Sequence, residues 1–200
     1  KACKKRMAEI RDDKLFTQPD ESLFGECPIC CLPNPLDDSK SGIYTCCGKR
    51  VCNGCAYANI TREREEGLEH KCPYCRQSMS FTDKEGNQSI RKRAKANDPV
   101  ALYQMGQKCD DEGDFEGAME YWTKAAELGE IMAHHSLSIM YKLGEGVEKD
   151  MKKYLHHLEE AAIGGHPSAR YNIGNHEGRN GRYERAVKHY IIAANLGYDK

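Results

Sequence analysis

Cysteine is where this chain could do chemistry. Its 200 residues include eleven cysteines, and nine of them fall between positions 27 and 75. Cys27–Cys30, Cys52–Cys55 and Cys72–Cys75 are all Cys-x-x-Cys pairs, a hairpin spacing that points two thiolates at one tetrahedral metal. Clustered cysteine in a secreted chain can instead form a disulfide framework, but such a framework has no reason to repeat one spacing three times. Adding Cys46 and Cys47 gives eight candidate ligands: Cys27, Cys30, Cys46, Cys47, Cys52, Cys55, Cys72 and Cys75. Closed structural zinc sites take four soft ligands each, so eight imply two zinc ions. Metal-bound thiolates place the protein in a reducing compartment, the cytosol or the nucleus.

Cys3, Cys31 and Cys109 are left over. A catalytic thiol needs a neighbouring base and an electropositive pocket, and none of the three has a recognisable partner in sequence. They read as ordinary thiols. The pairs His134-His135 and His156-His157 read as helix-surface residues, since no second cluster of ligand spacing accompanies them.

The elements that position the cysteines follow from punctuation and periodicity. Residues 22–80 contain Pro28, Pro33, Pro35, Gly42, Gly48 and Gly54, marks of a loop-rich unit. A unit this small buries too little apolar surface to fold alone, so metal must contribute folding free energy. Residues 1–21 form a polar lead-in with a weak helical pattern at Met7, Ile10 and Leu15. Residues 81–96 form a basic linker. Its Arg91-Lys92-Arg93 and Lys95 suit a localisation or nucleic-acid patch, though such a run is more often a solvated helix start.

From Asn97 the chain repeats itself. Ala125-Ala126-x-x-Gly129 recurs at Ala161 and again at Ala193, 36 and 32 residues further on. Ala101-x-x-x-Met105-Gly106 recurs as Ala133-x-x-x-Leu137-Ser138 and Ala169-x-x-x-Ile173-Gly174. A period in the thirties with paired helical patterns marks a helical solenoid. Asp98-Pro99 and His166-Pro167 open first helices as cap and first-turn proline. In the second helices, Ala118, Trp122, Ala125 and Ala126 align with Tyr154, Leu158, Ala161 and Ala162, and with Ala186, Tyr190, Ala193 and Ala194. Each set makes one buried stripe. Residues 97–200 resemble Sel-like repeats, relatives of tetratricopeptide repeats, most specifically in Gly144-x-Gly146-Val147-x-x-Asp150. The resemblance implies three helix pairs in a right-handed superhelix that scaffolds protein partners. Solenoid ends need a polar cap, so further repeats or a capping helix are expected beyond Lys200.

The cysteine segment resembles an all-cysteine RING finger. The phrases that carry the likeness are Cys27-Pro-Ile-Cys30, the long loop to Cys46, and Cys72-Pro-Tyr-Cys75-Arg76. The resemblance implies cross-bracing, with Cys27, Cys30, Cys52 and Cys55 on one ion and Cys46, Cys47, Cys72 and Cys75 on the other. Adjacent Cys46 and Cys47 depart from the family pattern. Sharing one metal would strain their backbone, and His70 is a possible substitute for one of them. The fold class is then a small zinc-stabilised α+β RING module joined to an all-α helical-repeat solenoid.

RING fingers generally act as ubiquitin ligases, positioning a ubiquitin-charged conjugating enzyme without a covalent step. By resemblance, Ile29 and Pro73 supply the docking contacts. Arg76 matches the linchpin cation that bonds conjugating enzyme and ubiquitin together. The helix after the sixth ligand, residues 56–67, presents Arg62, Glu63, Arg64, Glu65 and Glu66 as a solvated face, and the repeats recruit a substrate or adaptor. A zinc-stabilised scaffold without ligase activity is the alternative. A formal charge of -1 gives no global field toward nucleic acid or an anionic membrane. A mean hydropathy of -0.79 argues against one deep core for the whole chain. No apolar run approaches the ~20 residues of a membrane span.

Overall fold

The computed structural model describes residues 2–20, 22–79 and 82–198; the side chains of residues 2–5, 7, 8 and 83, including Cys3 and Met7, lie outside that description. Helix α1 (Ala2–Phe16) precedes the cysteine-rich segment. There a hairpin of β1 (Ser41–Ile43) and β2 (Arg50–Cys52) leads directly into α2 (Asn53–Glu65). The strands are antiparallel, with Ser41 opposite Cys52 and Ile43 opposite Arg50. Helix α3 (Asp83–Lys95) follows. The repeats comprise α4 (Pro99–Asp111), α5 (Phe115–Glu127), α6 (Ile131–Leu143), α7 (Met151–Ile163), α8 (Pro167–Arg179) and α9 (Tyr183–Asn195).

Local chemistry sets the helix ends. Asp98 accepts from the Ala101 N–H at 3.0 Å beside first-turn Pro99, and His166 does the same for Ala169 beside Pro167. Both arrangements satisfy an N–H that the first turn would leave orphaned. Close helix pairing rests on small residues. A Cβ on Gly106 would lie 2.4 Å from the Trp122 ring, and one on Gly174 would lie 2.6 Å from Tyr190. Trp122 then donates its indole N–H to the Tyr103 carbonyl at 3.2 Å.

Two apolar clusters run through the array. One gathers Ala101, Leu102, Ala118, Trp122, Ala125, Ala126, Ala133, Leu137 and Met140; the other gathers Tyr154, Leu158, Ala161, Ala162, Ala169 and Ile173. Val147, from the long loop after α6, packs against both. That loop turns at Gly146 (φ 66°), where a Cβ would meet the Phe115 backbone.

The third repeat departs from the expected stripe. Ala186 and Ala193 are buried, but Tyr190 and Ala194 are exposed, and His189 and Ile192 are buried in their place. Tyr190 still lies against α8, its hydroxyl donating to the Asn175 side-chain oxygen at 2.9 Å, and among the described residues no helix follows α9. The histidine pairs also do more than line a surface. His135 stacks on His166 at 4.0 Å between ring centroids, and His134 lies 3.1 Å from His157 between their Nδ1 atoms.

The flanking segments are more structured than solvated connectors. In the lead-in, Leu15 of α1 is 3% exposed and joins the second cluster. In the basic segment, Ala94 of α3 is buried in the first cluster with Ile90 against it. Arg91, Lys92 and Lys95 are exposed, whereas Arg93 turns inward.

Candidate metal centre

Two hairpin knuckles form the outer frame of the cysteine-rich segment, and they are built alike. In the first, the Cys27 N–H donates to the Leu32 carbonyl at 2.8 Å and the Cys31 N–H to the Cys27 carbonyl at 2.9 Å. In the second, the Cys72 N–H donates to the Gln77 carbonyl at 2.9 Å and the Arg76 N–H to the Cys72 carbonyl at 3.0 Å. The residue after each pair is left-handed, Cys31 at φ 58° and Arg76 at φ 61°. Cys27 and Cys72, which open the knuckles, are fully buried.

The β-hairpin and α2 supply the other four thiols. Cys46 and Cys47 occupy the turn between β1 and β2, Cys52 ends β2, and Cys55 lies in the first turn of α2. The chain brings Cys27, Cys30, Cys52 and Cys55 into one group and Cys46, Cys47, Cys72 and Cys75 into another. Within each group all sulfurs lie within 4.8 Å of one another. Cys30–Cys52 and Cys47–Cys72 are 3.8 Å apart, and Cys46–Cys75 3.5 Å. Metal–sulfur bonds of about 2.3 Å in a tetrahedron put sulfurs roughly 3.8 Å apart. Both groups could therefore hold a metal ion, and their members alternate in pairs along the chain.

The turn carrying Cys46 and Cys47 corrects one expectation. Neither adjacent cysteine takes a positive φ; Gly48 does, at 69°. The Cys47 and Gly48 N–H groups both reach the Tyr44 carbonyl, so the glycine absorbs the bend and leaves both thiols free to converge. His70 does not belong to the second four-thiol group; its Nδ1 lies 2.6 Å from a Glu63 carboxylate oxygen.

Crowding governs the thiols. Burial pushes Cys46 above its ordinary value, reinforced by Cys75 and Cys72. Burial likewise lifts Cys55 to about 12, with Cys52 and Cys30 adding to it. Burial also opposes ionisation of Cys27, but backbone contacts from Cys52, Cys30 and Ile29 outweigh it and bring that thiol to about 6. A coordinating cation removes the repulsion and deprotonates its thiols outright. The leftover cysteines differ: Cys31 is exposed, and Cys109 is pushed up by burial and then by Asp114.

Ile29 is 44% exposed between the first pair, and Pro73 is half-buried between the last. Arg76 is exposed and donates from Nη1 to the Asn59 side-chain oxygen at 3.1 Å. Asn59 also donates to the Lys71 carbonyl at 3.2 Å. One turn on, Glu63 is only 4% exposed and accepts from the Lys71 N–H at 3.2 Å. Burial works against its charge, but hydrogen bonds led by His70 hold its carboxyl below the usual range. The charged run on α2 is thus not uniformly solvated: Asn59 and Glu63 clamp the segment entering the second knuckle at Lys71. Their four-residue spacing, which puts them on one helix face, is the only sequence signal of this role.

The sequence profile of the Sel1 repeat matches residues 99–130, 131–166 and 167–198, half of the chain. The chain belongs to the Sel1 repeat family. A Sel1 repeat protein from Oxalobacter formigenes has a similar solved structure, with 25% identity and a TM-score of 0.53 over 72% of this chain and 57% of that one. HcpC of Helicobacter pylori (strain J99), provisionally named a beta-lactamase, is 41% identical over 56 residues, 28% of this chain. The chain spans only 19% of the length of HcpC. The profile match begins after the cysteine-rich segment, whose metal-binding capacity rests on its own geometry.

Arg93 joins the second four-thiol group to the first Sel1 repeat. Its Nη1 donates to the carbonyl of Thr45, next to Cys46, at 3.2 Å. Its Nε and Nη2 fork onto the Asp98 carboxylate at 3.0 and 2.9 Å, the same carboxylate that caps α4. A Cβ on Gly48 would collide with this guanidinium, 1.8 Å from Nη2. Sequence reading placed Arg93 in a basic run and did not anticipate this role.

Proposed function

We propose that this protein is a RING-type ubiquitin ligase of the cytosol or nucleus, in which a two-zinc module positions a ubiquitin-charged conjugating enzyme and the Sel1 repeats recruit a substrate or adaptor. The observation that carries the reading is the pair of four-thiol groups whose members alternate along the chain, in the order expected of a cross-braced RING. Four-thiolate tetrahedral sites suit zinc or iron; zinc is favoured because these sites are closed and resemble structural zinc modules. Zinc held by the eight cysteines supplies folding free energy and no catalytic chemistry.

The chain's own residues do the rest. Ile29 and Pro73, on the two knuckles, dock the conjugating enzyme, with exposed Leu32 and Tyr74 as further apolar surface nearby in sequence. Arg76 leaves Asn59 and bonds enzyme and ubiquitin together through its planar fork. Acceleration comes from holding the thioester in a reactive pose rather than from a nucleophile on the ligase. The repeats fit a recruiting role because solenoids present extended binding surfaces.

One observation favours a second reading, a zinc-stabilised scaffold without ligase activity: Arg76 is already engaged with Asn59. Self-ubiquitination by the zinc-loaded chain, assayed against a panel of conjugating enzymes, separates the two. The ligase reading expects chains with wild type and their loss in Ile29→Ala. A chain with two zincs per molecule that forms no ubiquitin chains with any enzyme leaves the scaffold.

A further inference from the structure

Arg76 is fixed at its root and held at its tip. Its N–H donates to the Cys72 carbonyl at 3.0 Å and its φ is 61°, so the knuckle sets the backbone and only the side chain can swing. At the tip, Nη1 donates to Asn59 Oδ1 at 3.1 Å. Among the described residues nothing else meets the guanidinium: Nε and Nη2 have no hydrogen-bond partner, and no carboxylate pairs with it.

The acceptor is held in turn. Asn59 is half-buried on α2, and its Nδ2 donates to the Lys71 carbonyl at 3.2 Å. The same side chain reaches the Glu63 carboxylate, which is 4% exposed and also accepts from the Lys71 N–H. Carbonyl and carboxylate both accept, so the Asn59 amide turns its N–H groups inward and leaves Oδ1 outward as an acceptor. Its orientation is dictated by the network. An acceptor already ordered needs no rearrangement to meet Arg76, and a hydrogen bond from a charged donor is stronger than one between neutral groups. In the ligase reading Arg76 gives up Asn59 to bridge conjugating enzyme and ubiquitin, so this bond belongs to the resting protein alone. A contact present in the resting state and absent from the transition state raises the barrier by the free energy it contributes.

We propose that Asn59 is a latch on Arg76: it holds the guanidinium in a resting pose that the charged conjugating enzyme must break, and so restrains discharge without touching enzyme or ubiquitin. Asn59 is a positioning residue that acts only through Arg76. The latch rests on the ligase reading and gives that reading a built-in restraint.

The test is discharge of ubiquitin onto free lysine from the conjugating enzyme of the panel that wild type accelerates most. The full zinc-loaded chain is kept in saturating excess, with zinc content and melting temperature measured for every variant. Asn59→Ala should raise the maximal rate roughly two- to fivefold, the effect of a charged hydrogen bond discounted for its exposed donor. Asn59→Lys keeps a donor for Lys71 and Glu63 but repels Arg76, and it should raise the rate as well. Asn59→Asp, which grips the cation more tightly, should lower it. Affinity of Asn59→Ala for the uncharged enzyme, carried by Ile29 and Pro73, should equal that of wild type. In an Arg76→Ala background all three substitutions should leave the rate unchanged. Rates of Asn59→Ala and Asn59→Lys at or below wild type, or effects that persist without Arg76, overturn the latch and leave the ligase reading standing. Wild type and Asn59→Ala both inert with every enzyme, at full zinc loading, would overturn the two together.

Discussion

Replacing Arg93 with alanine should loosen one four-thiol group and spare the other. Three hydrogen bonds go with the side chain: two to Asp98 and one to the Thr45 carbonyl beside Cys46. Hydrogen bonds to charged groups contribute about 1.5–3 kcal/mol each when buried. Arg93 is 12% exposed but Asp98 31%, so Asp98 regains water and still caps α4. The expected net loss is about 2 kcal/mol. If all of it reaches the turn holding Cys46 and Cys47, zinc leaves that group roughly thirtyfold faster, at tenfold per 1.4 kcal/mol. Chelator-driven release should show two phases, assigned with Cys47→Ser and Cys55→Ser, each of which disables one group. Arg93→Ala should accelerate only the phase belonging to Cys46, Cys47, Cys72 and Cys75. Arg93→Lys should fail to rescue it, because an ammonium cannot fork onto Asp98. Equal acceleration of both phases, or of neither, refutes the bridge.

Other substitutions probe the same frame. Gly48→Ala forces a side chain into a left-handed position against Arg93 and should lower stability by roughly 1–2 kcal/mol in thermal melts of zinc-loaded protein. Glu63→Ala removes the acceptor of the Lys71 N–H; a loss of roughly 1–3 kcal/mol is expected, with Glu63→Gln recovering part of it. Burial holds His135 and His157 at about 4 and His166 at about 3, all below the ordinary 6.5. The unfolded chain therefore binds these protons more readily. Their stabilisation is complete above pH 6.5 and is lost as pH falls toward 4. Melting temperature should drop across that window, and His166→Asn, which keeps a capping side chain, should flatten the drop.

Much of this architecture was legible because it rests on spacing. The Ala-x-x-x-Gly and Ala-Ala phrases are dictated by helices packing closely, as Gly106 against Trp122 shows, so the repeats announce themselves. The Cys-x-x-Cys pairs are equally local, and the grouping of the eight cysteines followed from the RING resemblance. What sequence hid was tertiary. Glu63 looks like its charged neighbours until the segment at Lys71 meets it, and Arg93 looks like the rest of a basic run until Thr45 and Asp98 converge on it. The burial of His189 in place of Tyr190 has the same origin: the Phe16 ring of α1 lies over His189, a contact no local pattern announces. Leu15 sat in a weak pattern within a polar segment, and its burial depends on a groove more than a hundred residues away in the chain.

The most direct test of the central claim is single-turnover discharge of ubiquitin from a charged conjugating enzyme onto free lysine, with zinc content measured on every sample. Wild type holding two zincs should accelerate discharge, and Arg76→Ala, holding the same zinc, should lose most of that acceleration. No acceleration by fully loaded wild type with any enzyme of the panel, or an Arg76→Ala rate equal to wild type, would contradict the account.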